Sequence, residues 1–181
     1  AVFGTAHRYG RAEGGDAASI SAFTVADLRA FHAARYVPSA ATLVVAGGVT
    51  REVLPLVEKA FGAWRAASAT APAPAVAAPV ALEARTVWLV DKPGAAQSAI
   101  RVGAVGPSWS AAGYAAAEVM NTLLGGSFTS RLNDNLREQH GYSYGAASRL
   151  LRYRTGGLFV AFSDVQTDKT APAVTEFVKE L

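Results

Sequence analysis

The sequence predicts an α+β fold in which antiparallel sheets carry helices on one face. Three observations predict it. Short strand-like runs come in adjacent pairs, as hairpins require. Helical periodicities group between those pairs instead of alternating with single strands, which argues against a doubly wound parallel sheet. A stretch built almost wholly of Ala, Pro, Ser, Thr and Val, with prolines at 72, 74 and 79, separates two parts of the chain. With residues 67–84 as linker, residues 1–66 and 85–181 are the two expected units. The 181 residues are half hydrophobic and 17% charged, a globular composition able to bury a real core.

Residues 1–20, rich in glycine and small polar side chains, read as loop. Thr24 with Asp27 resembles a capping box, and Val25, Leu28, Phe31 and His32 follow at helical spacing. A helix therefore runs to about Tyr36, where Pro38 stops it. Residues 42–46 form a short apolar run before Gly47 and Gly48 and read as a buried strand. Thr50 suits the N-cap of the next helix, whose apolar face is Val53, Leu54, Val57, Phe61 and Trp64. Pro55 lies close enough to that cap to kink the first turn or move the start inward.

Beyond the linker, residues 86–90 read as a strand, residues 91–94 as a turn and residues 97–105 as a second strand. Residues 111–124 read as a helix with a stripe of Ala115, Val119, Leu123 and Leu124, closed by Gly125 and Gly126. Ser127 suits the cap of another helix reaching Gln139. Residues 144–153 and 157–163 read as a hairpin around Arg154-Thr155-Gly156, and Thr167 or Asp168 opens a last helix.

Several function classes are excluded by the residues present. The chain has no cysteine, so it holds no disulfide, no thiolate metal site and no cysteine nucleophile. No apolar run reaches the roughly 18 residues of a membrane helix. Net charge is +3, and the basic residues are scattered apart from Arg149, Arg152 and Arg154. No nucleic-acid-binding module is visible, so no nucleic acid is expected as partner. A solvated hairpin face accounts for the three arginines, as does contact with acidic peptide side chains.

The three histidines, His7, His32 and His140, stand far apart, and none has a second histidine at helical spacing. They read as surface or hydrogen-bonded histidines, and no metal site is expected on these residues. No Gly-x-Ser-x-Gly elbow is present. The Gly125-Gly126-Ser127 stretch lacks the Lys-Ser/Thr ending of a phosphate loop. A helix start after two glycines could hold an anion or a carbonyl oxygen, or could simply join two helices.

The informative stretch runs Leu124-Gly-Gly-Ser-Phe-Thr-Ser-Arg-Leu132 and then Leu136-Arg-Glu-Gln-His-Gly-Tyr-Ser-Tyr144. It resembles the C-terminal-domain signature of the M16 zinc peptidases, the insulinase and mitochondrial processing peptidase type. In that signature a glycine pair and Ser-Arg-Leu precede Arg-Glu-x-x-Gly-x-x-Tyr. His7-Arg-Tyr-Gly10 is similar to the family's His-Pro-Tyr-Gly turn, with Arg8 in place of proline. Tyr36-Val-Pro38, Phe61-Gly-Ala-Trp64 and Asp91-Lys-Pro-Gly-Ala-Ala-Gln97 fit in the same order.

The resemblance implies two related α/β units that clasp a peptide or unfolded polypeptide. Residues 1–66 would be the end of a first, metal-bearing half, and residues 85–181 much of a substrate-holding second half. It implies zinc held by an inverted His-x-x-Glu-His motif and a further Glu, all upstream of Ala1. This chain would then supply no catalytic residue. It implies that Arg137 and Tyr144 hydrogen-bond the substrate backbone, and that Gly125 and Gly126 match a glycine-rich substrate loop. The resemblance implies a homodimer or a heterodimer with another M16 subunit as a possible assembly, and because some members lack zinc ligands, a non-catalytic M16-like partner or structural subunit that pairs with an active chain is the alternative. Many bacterial relatives are exported, which puts the periplasm ahead of the cytoplasm as the expected compartment.

Overall fold

A computed structural model describes residues 2–65, 75–80 and 83–181. Most of the expected linker therefore lies outside the described residues. The chain divides into two compact units, Ala12–Ala75 on the one hand and Ala1–Arg11 with Val76–Leu181 on the other. The first boundary differs from the one that composition suggests. Residues near the start belong to the larger unit because Tyr9 stacks on Tyr153 at 4.4 Å and accepts a hydrogen bond from the Thr155 hydroxyl at 3.2 Å.

The smaller unit is helical. Helix α1, Ala17–Ala22, lies where the sequence reads as loop. It forms because Asp16 and Ser19 make a reciprocal capping box, with Ser19 N–H donating to Asp16 at 2.7 Å. Helix α2, Val25–Arg35, begins on the expected box of Thr24 and Asp27. Helix α3, Val53–Phe61, starts inward of Thr50, with Glu52 at the cap. Pro55 then falls in the first turn, where its missing N–H leaves no bond unmade. Val37 is the one buried side chain of this unit among the described residues. The run at residues 42–46 is not a strand: it has no ladder partner among the described residues, and Leu43, Val44 and Val45 are exposed. A continuous apolar run becomes a strand only where neighbours accept its backbone groups.

In the larger unit residues 86–90 likewise form no strand, and Trp88 is 74% exposed. A turn closed at Gly94, whose φ of +78° favours glycine, leads into strand β1, Gln97–Gly106. Strands β2, Ser143–Arg152, and β3, Gly157–Gln166, complete an antiparallel sheet of order β1-β3-β2. The register pairs Ile100 with Ser163 and Val102 with Ala161 on one side, and Ala146 with Ser163 and Ser148 with Ala161 on the other. These residues share one face. Ile100, Ala146, Ala161 and Val165 meet Leu124, Leu132, Leu136, Ala173 and Phe177 there. One sheet face covered by helices is the predicted α+β arrangement.

Three helical segments cover that face. Helix α4, Tyr114–Asn121, widens into a π-helical turn over Thr122–Gly126. The wider turn buries two consecutive residues, Leu124 and Gly125, so the expected stripe is only partly used: Val119 and Leu123 stay exposed. Helix α5, Arg131–Asn133, has Ser130 and not Ser127 at its N-cap position, with no side-chain cap hydrogen bond, and widens in turn over Asp134–Gln139. Helix α6, Thr170–Glu180, lies against it. Its buried Glu176 accepts from Asn135 Nδ2 at 3.2 Å and Lys179 Nζ at 2.5 Å, while Glu180 accepts from Asn135 and Arg131, each at 2.9 Å.

Two consequences are measurable. A Cβ on Gly125 would sit 2.4 Å from both Ser148 N and Oγ. Gly125→Ala is therefore expected to destabilise the chain by about 2 kcal/mol, against a helix-propensity gain of about 0.5–1 kcal/mol. An unchanged urea midpoint would show that this helix end is not held against β2. Hydrogen bonds from Lys179 and Asn135 hold the Glu176 carboxyl below its ordinary value of 4.5. A group with a depressed folded-state pKa stabilises above its unfolded pKa and loses that contribution as pH falls through the folded one. The stability gap between wild type and Glu176→Gln should thus be full at neutral pH and shrink as pH falls below 4.5 through the lowered folded-state value; a gap independent of pH would contradict it.

Candidate functional site

Arg137 belongs to the π-widened end of the α5 segment, between buried Leu136 and exposed Glu138. The segment is anchored on both sides. Asn135 is tied to α6, and Leu136 is fully buried in the core. Its end is set by Gly141, whose φ of +63° lets the chain reverse. Gly141 N–H returns to Arg137 O at 3.0 Å and Tyr142 N–H to Leu136 O at 2.9 Å. Tyr142 O then accepts from Gln166 N–H, which joins the helix end to β3.

Tyr144 follows at the start of β2, inside a register irregularity. Ser143 faces Val165, yet Ala146 faces Ser163, so β2 carries one extra residue against its partner. A bulge of this kind re-aims a side chain. Here it leaves Tyr144 89% exposed at an otherwise packed strand end. The bulge is pinned: Gly145 O accepts from Ser163 Oγ at 2.8 Å, and Ala146 N–H donates to Asn133 Oδ1 at 3.1 Å.

The turn and the bulge bring the two predicted residues together. The Arg137 guanidinium carbon lies 5.4 Å from the centre of the Tyr144 ring and 4.5 Å from that of Phe128. Both rings offer their electron-rich faces to the cation. Arg137 Nη1 stands 3.3 Å from Glu138 Oε1, yet this buried nitrogen makes no hydrogen bond. Among the described residues the Tyr144 hydroxyl makes none either. An exposed phenol thus stands beside a part-exposed guanidinium at the edge of the sheet. A rigid fork of charged N–H groups and a phenol O–H suit a carbonyl oxygen, most of all one gaining charge.

The predicted glycines lie elsewhere. Gly125 is buried against Ser148, four residues along β2 from Tyr144 and so about 13 Å away. It permits close approach of backbone to backbone. Gly126 is exposed and follows it out of the helix. Both glycines line an open hollow of about 310 Å³, together with Glu118, Asn121, Ser148 and Leu150 among others. Asn121 and Ser148 satisfy one another there, with Ser148 Oγ donating to Asn121 Oδ1 at 2.8 Å.

Two residues of the site carry no role in the sequence reading. Phe128 packs on Arg137, and Asn133 donates to Phe128 O at 2.6 Å while accepting from Ala146 N–H. Both stand in the signature stretch, which was their only signal. The three arginines of the hairpin do not form one patch. Arg149 lies over Phe162 at 5.4 Å on the uncovered sheet face, whereas Arg152 lies over Trp109 at 4.3 Å and over Tyr114.

The described residues do not fit a zinc ion. His7 accepts from Tyr9 N–H at one ring nitrogen and bonds Ala77 O at the other. His32 stacks on Tyr36. His140 stacks on Tyr142 and faces Glu176 at 3.8 Å. Among the described residues no group of three His, Asp or Glu could hold a metal. No helix among them is long and apolar enough to cross a membrane.

Comparison with known proteins gives one answer. The family model described as the peptidase M16 inactive domain matches residues 22–181. An uncharacterised zinc protease of Mycobacterium leprae is 31% identical over 164 residues, covering 90% of this chain and 36% of the relative. One of Mycobacterium tuberculosis is 30% identical over the same share of this chain and 37% of its own length. Among solved structures, a peptidase M16 inactive domain from Pseudomonas fluorescens superposes with a TM-score of 0.80 at 26% identity, covering 98% of this chain and 43% of that one. A Helicobacter pylori protease shares the fold, with a TM-score of 0.78 at 21% identity over 91% of this chain and 41% of that one. The chain spans well under half the length of each relative. It belongs to the peptidase M16 family, and most of its length is that family's inactive domain.

Proposed function

We propose that this chain is the peptide-holding part of a zinc-dependent endopeptidase, with Arg137 and Tyr144 facing the substrate backbone. One observation carries the reading: the two side chains converge at the sheet edge, where the exposed Tyr144 hydroxyl makes no hydrogen bond among the described residues. A peptide carbonyl oxygen would accept from the exposed phenol, and the part-exposed guanidinium beside it would supply positive charge. In the intact protein zinc would polarise the scissile carbonyl and activate water. Its ligands would lie outside the described residues, among which no group of three His, Asp or Glu could hold a metal. Residues 1–66 are then the end of the metal-bearing half, and residues 85–181 belong to the substrate-holding half. Residues 85–181 act by binding and orienting, and Gly125 supports them by packing the helix end on β2.

A second reading rests on the family, in which some members lack zinc ligands. The whole protein would be a zinc-free subunit that presents peptide to an active M16 partner. Zinc content decides between the two: stoichiometric zinc in the full-length protein supports the peptidase, and its absence supports the partner subunit.

In the full-length enzyme Arg137→Ala or Tyr144→Phe is expected to lower kcat/KM for a peptide by about a hundredfold. The unfolding midpoint should hold, because both groups lie at the open edge of the core. Wild-type turnover in both variants would remove these residues from the site.

A further inference from the structure

We propose that Phe128 forms the wall of a subsite for an apolar side chain of the bound peptide, beside the point where Arg137 and Tyr144 hold its backbone. The inference rests on the peptide-holding reading of that pair. Phe128 is 70% exposed, yet it is not a loose surface side chain. Its carbonyl accepts from Asn133 Nδ2 at 2.6 Å, and the Arg137 guanidinium lies 4.5 Å from its ring centre. Asn133 is itself buried, and its other atom, Oδ1, receives Ala146 N–H at the end of the bulge that carries Tyr144. One buried side chain thus links the Phe128 loop to the Tyr144 bulge.

A ring fixed in this way gives up little freedom when it is covered, so most of the gain from burying its apolar surface remains as affinity. The expected occupant follows from reach and charge. In an extended peptide successive residues advance about 3.3 Å. A chain whose carbonyl reaches Arg137 therefore sets a side chain of the same or the next residue within range of the ring 4.5 Å from that guanidinium. A basic side chain there would meet the like charge of Arg137. An acidic one would compete with the backbone carbonyl for the guanidinium. A Phe or Leu side chain does neither and covers the ring.

The test is a titration of this chain with capped hexapeptides of Ser and Ala that differ at one central position, Phe or Ala. Binding is followed on the Arg137 Nε–Hε NMR signal, with the backbone amide spectrum as the check on folding. The Phe peptide should bind wild type about tenfold more tightly than the Ala peptide. Phe128→Ala should bring the two within about twofold of each other, whereas Phe128→Leu should keep most of the preference. Arg137→Ala, followed on the amide signals, should weaken both peptides alike. Equal binding of both peptides by wild type, or a preference that survives Phe128→Ala, overturns the subsite and leaves the peptide-holding reading standing. If neither peptide moves the Arg137 signal, the peptide-holding reading fails and the subsite fails with it.

Discussion

The contact between Gly125 and Ser148 sets how closely helix and sheet can approach. At this point helix backbone meets strand backbone, with no room for even one carbon between them. The π-helical turn is what turns Gly125 inward, since the added residue buries Leu124 and Gly125 in succession. Asn121, one residue before that turn, closes the arrangement by exchanging hydrogen bonds with the backbone and hydroxyl of Ser148. Buried polar groups satisfied in pairs fix position more sharply than apolar packing, because a shift leaves both unpaired.

From that contact the site follows in steps. The chain leaves the helix at Gly126, reaches Phe128 in two residues and re-enters a helix at Arg131. The second helix is also widened near its end, where Asn135 turns towards the carboxylates of α6 and Leu136 enters the core. Arg137 is thereby aimed at the strand that follows. The bulge in β2 supplies the other half by turning Tyr144 out of the packed sheet. Two local irregularities, each held by an Asn side chain, place a cation between two aromatic rings.

Local signals were legible where the cause is local. The Thr24–Asp27 box, the glycine turn at residue 94 and the hairpin of β2 and β3 depend on neighbours a few residues away, and each can be read from the sequence. The box of Asp16 and Ser19 was equally local but lay in a glycine-rich stretch that read as loop. The apolar runs at residues 42–46 and 86–90 carried a strand composition without a strand result. Composition reports what a segment could bury, whereas a ladder needs a partner whose position the segment does not specify.

The sequence by itself determined the fold class, the family signature and the exclusion of cysteine chemistry, since these rest on residue types and short spacings. It also singled out Arg137 and Tyr144, seven residues apart. Only the tertiary structure decided that these two stand together, that Phe128 stacks beside them and that Gly125 serves packing. Each of those outcomes turns on one extra residue in a helix turn or a strand. A shift by one residue reverses which way a strand side chain points. What selects the shift is the fit of distant surfaces, Asn133 against Ala146 and Gly125 against Ser148, which no short stretch of sequence contains.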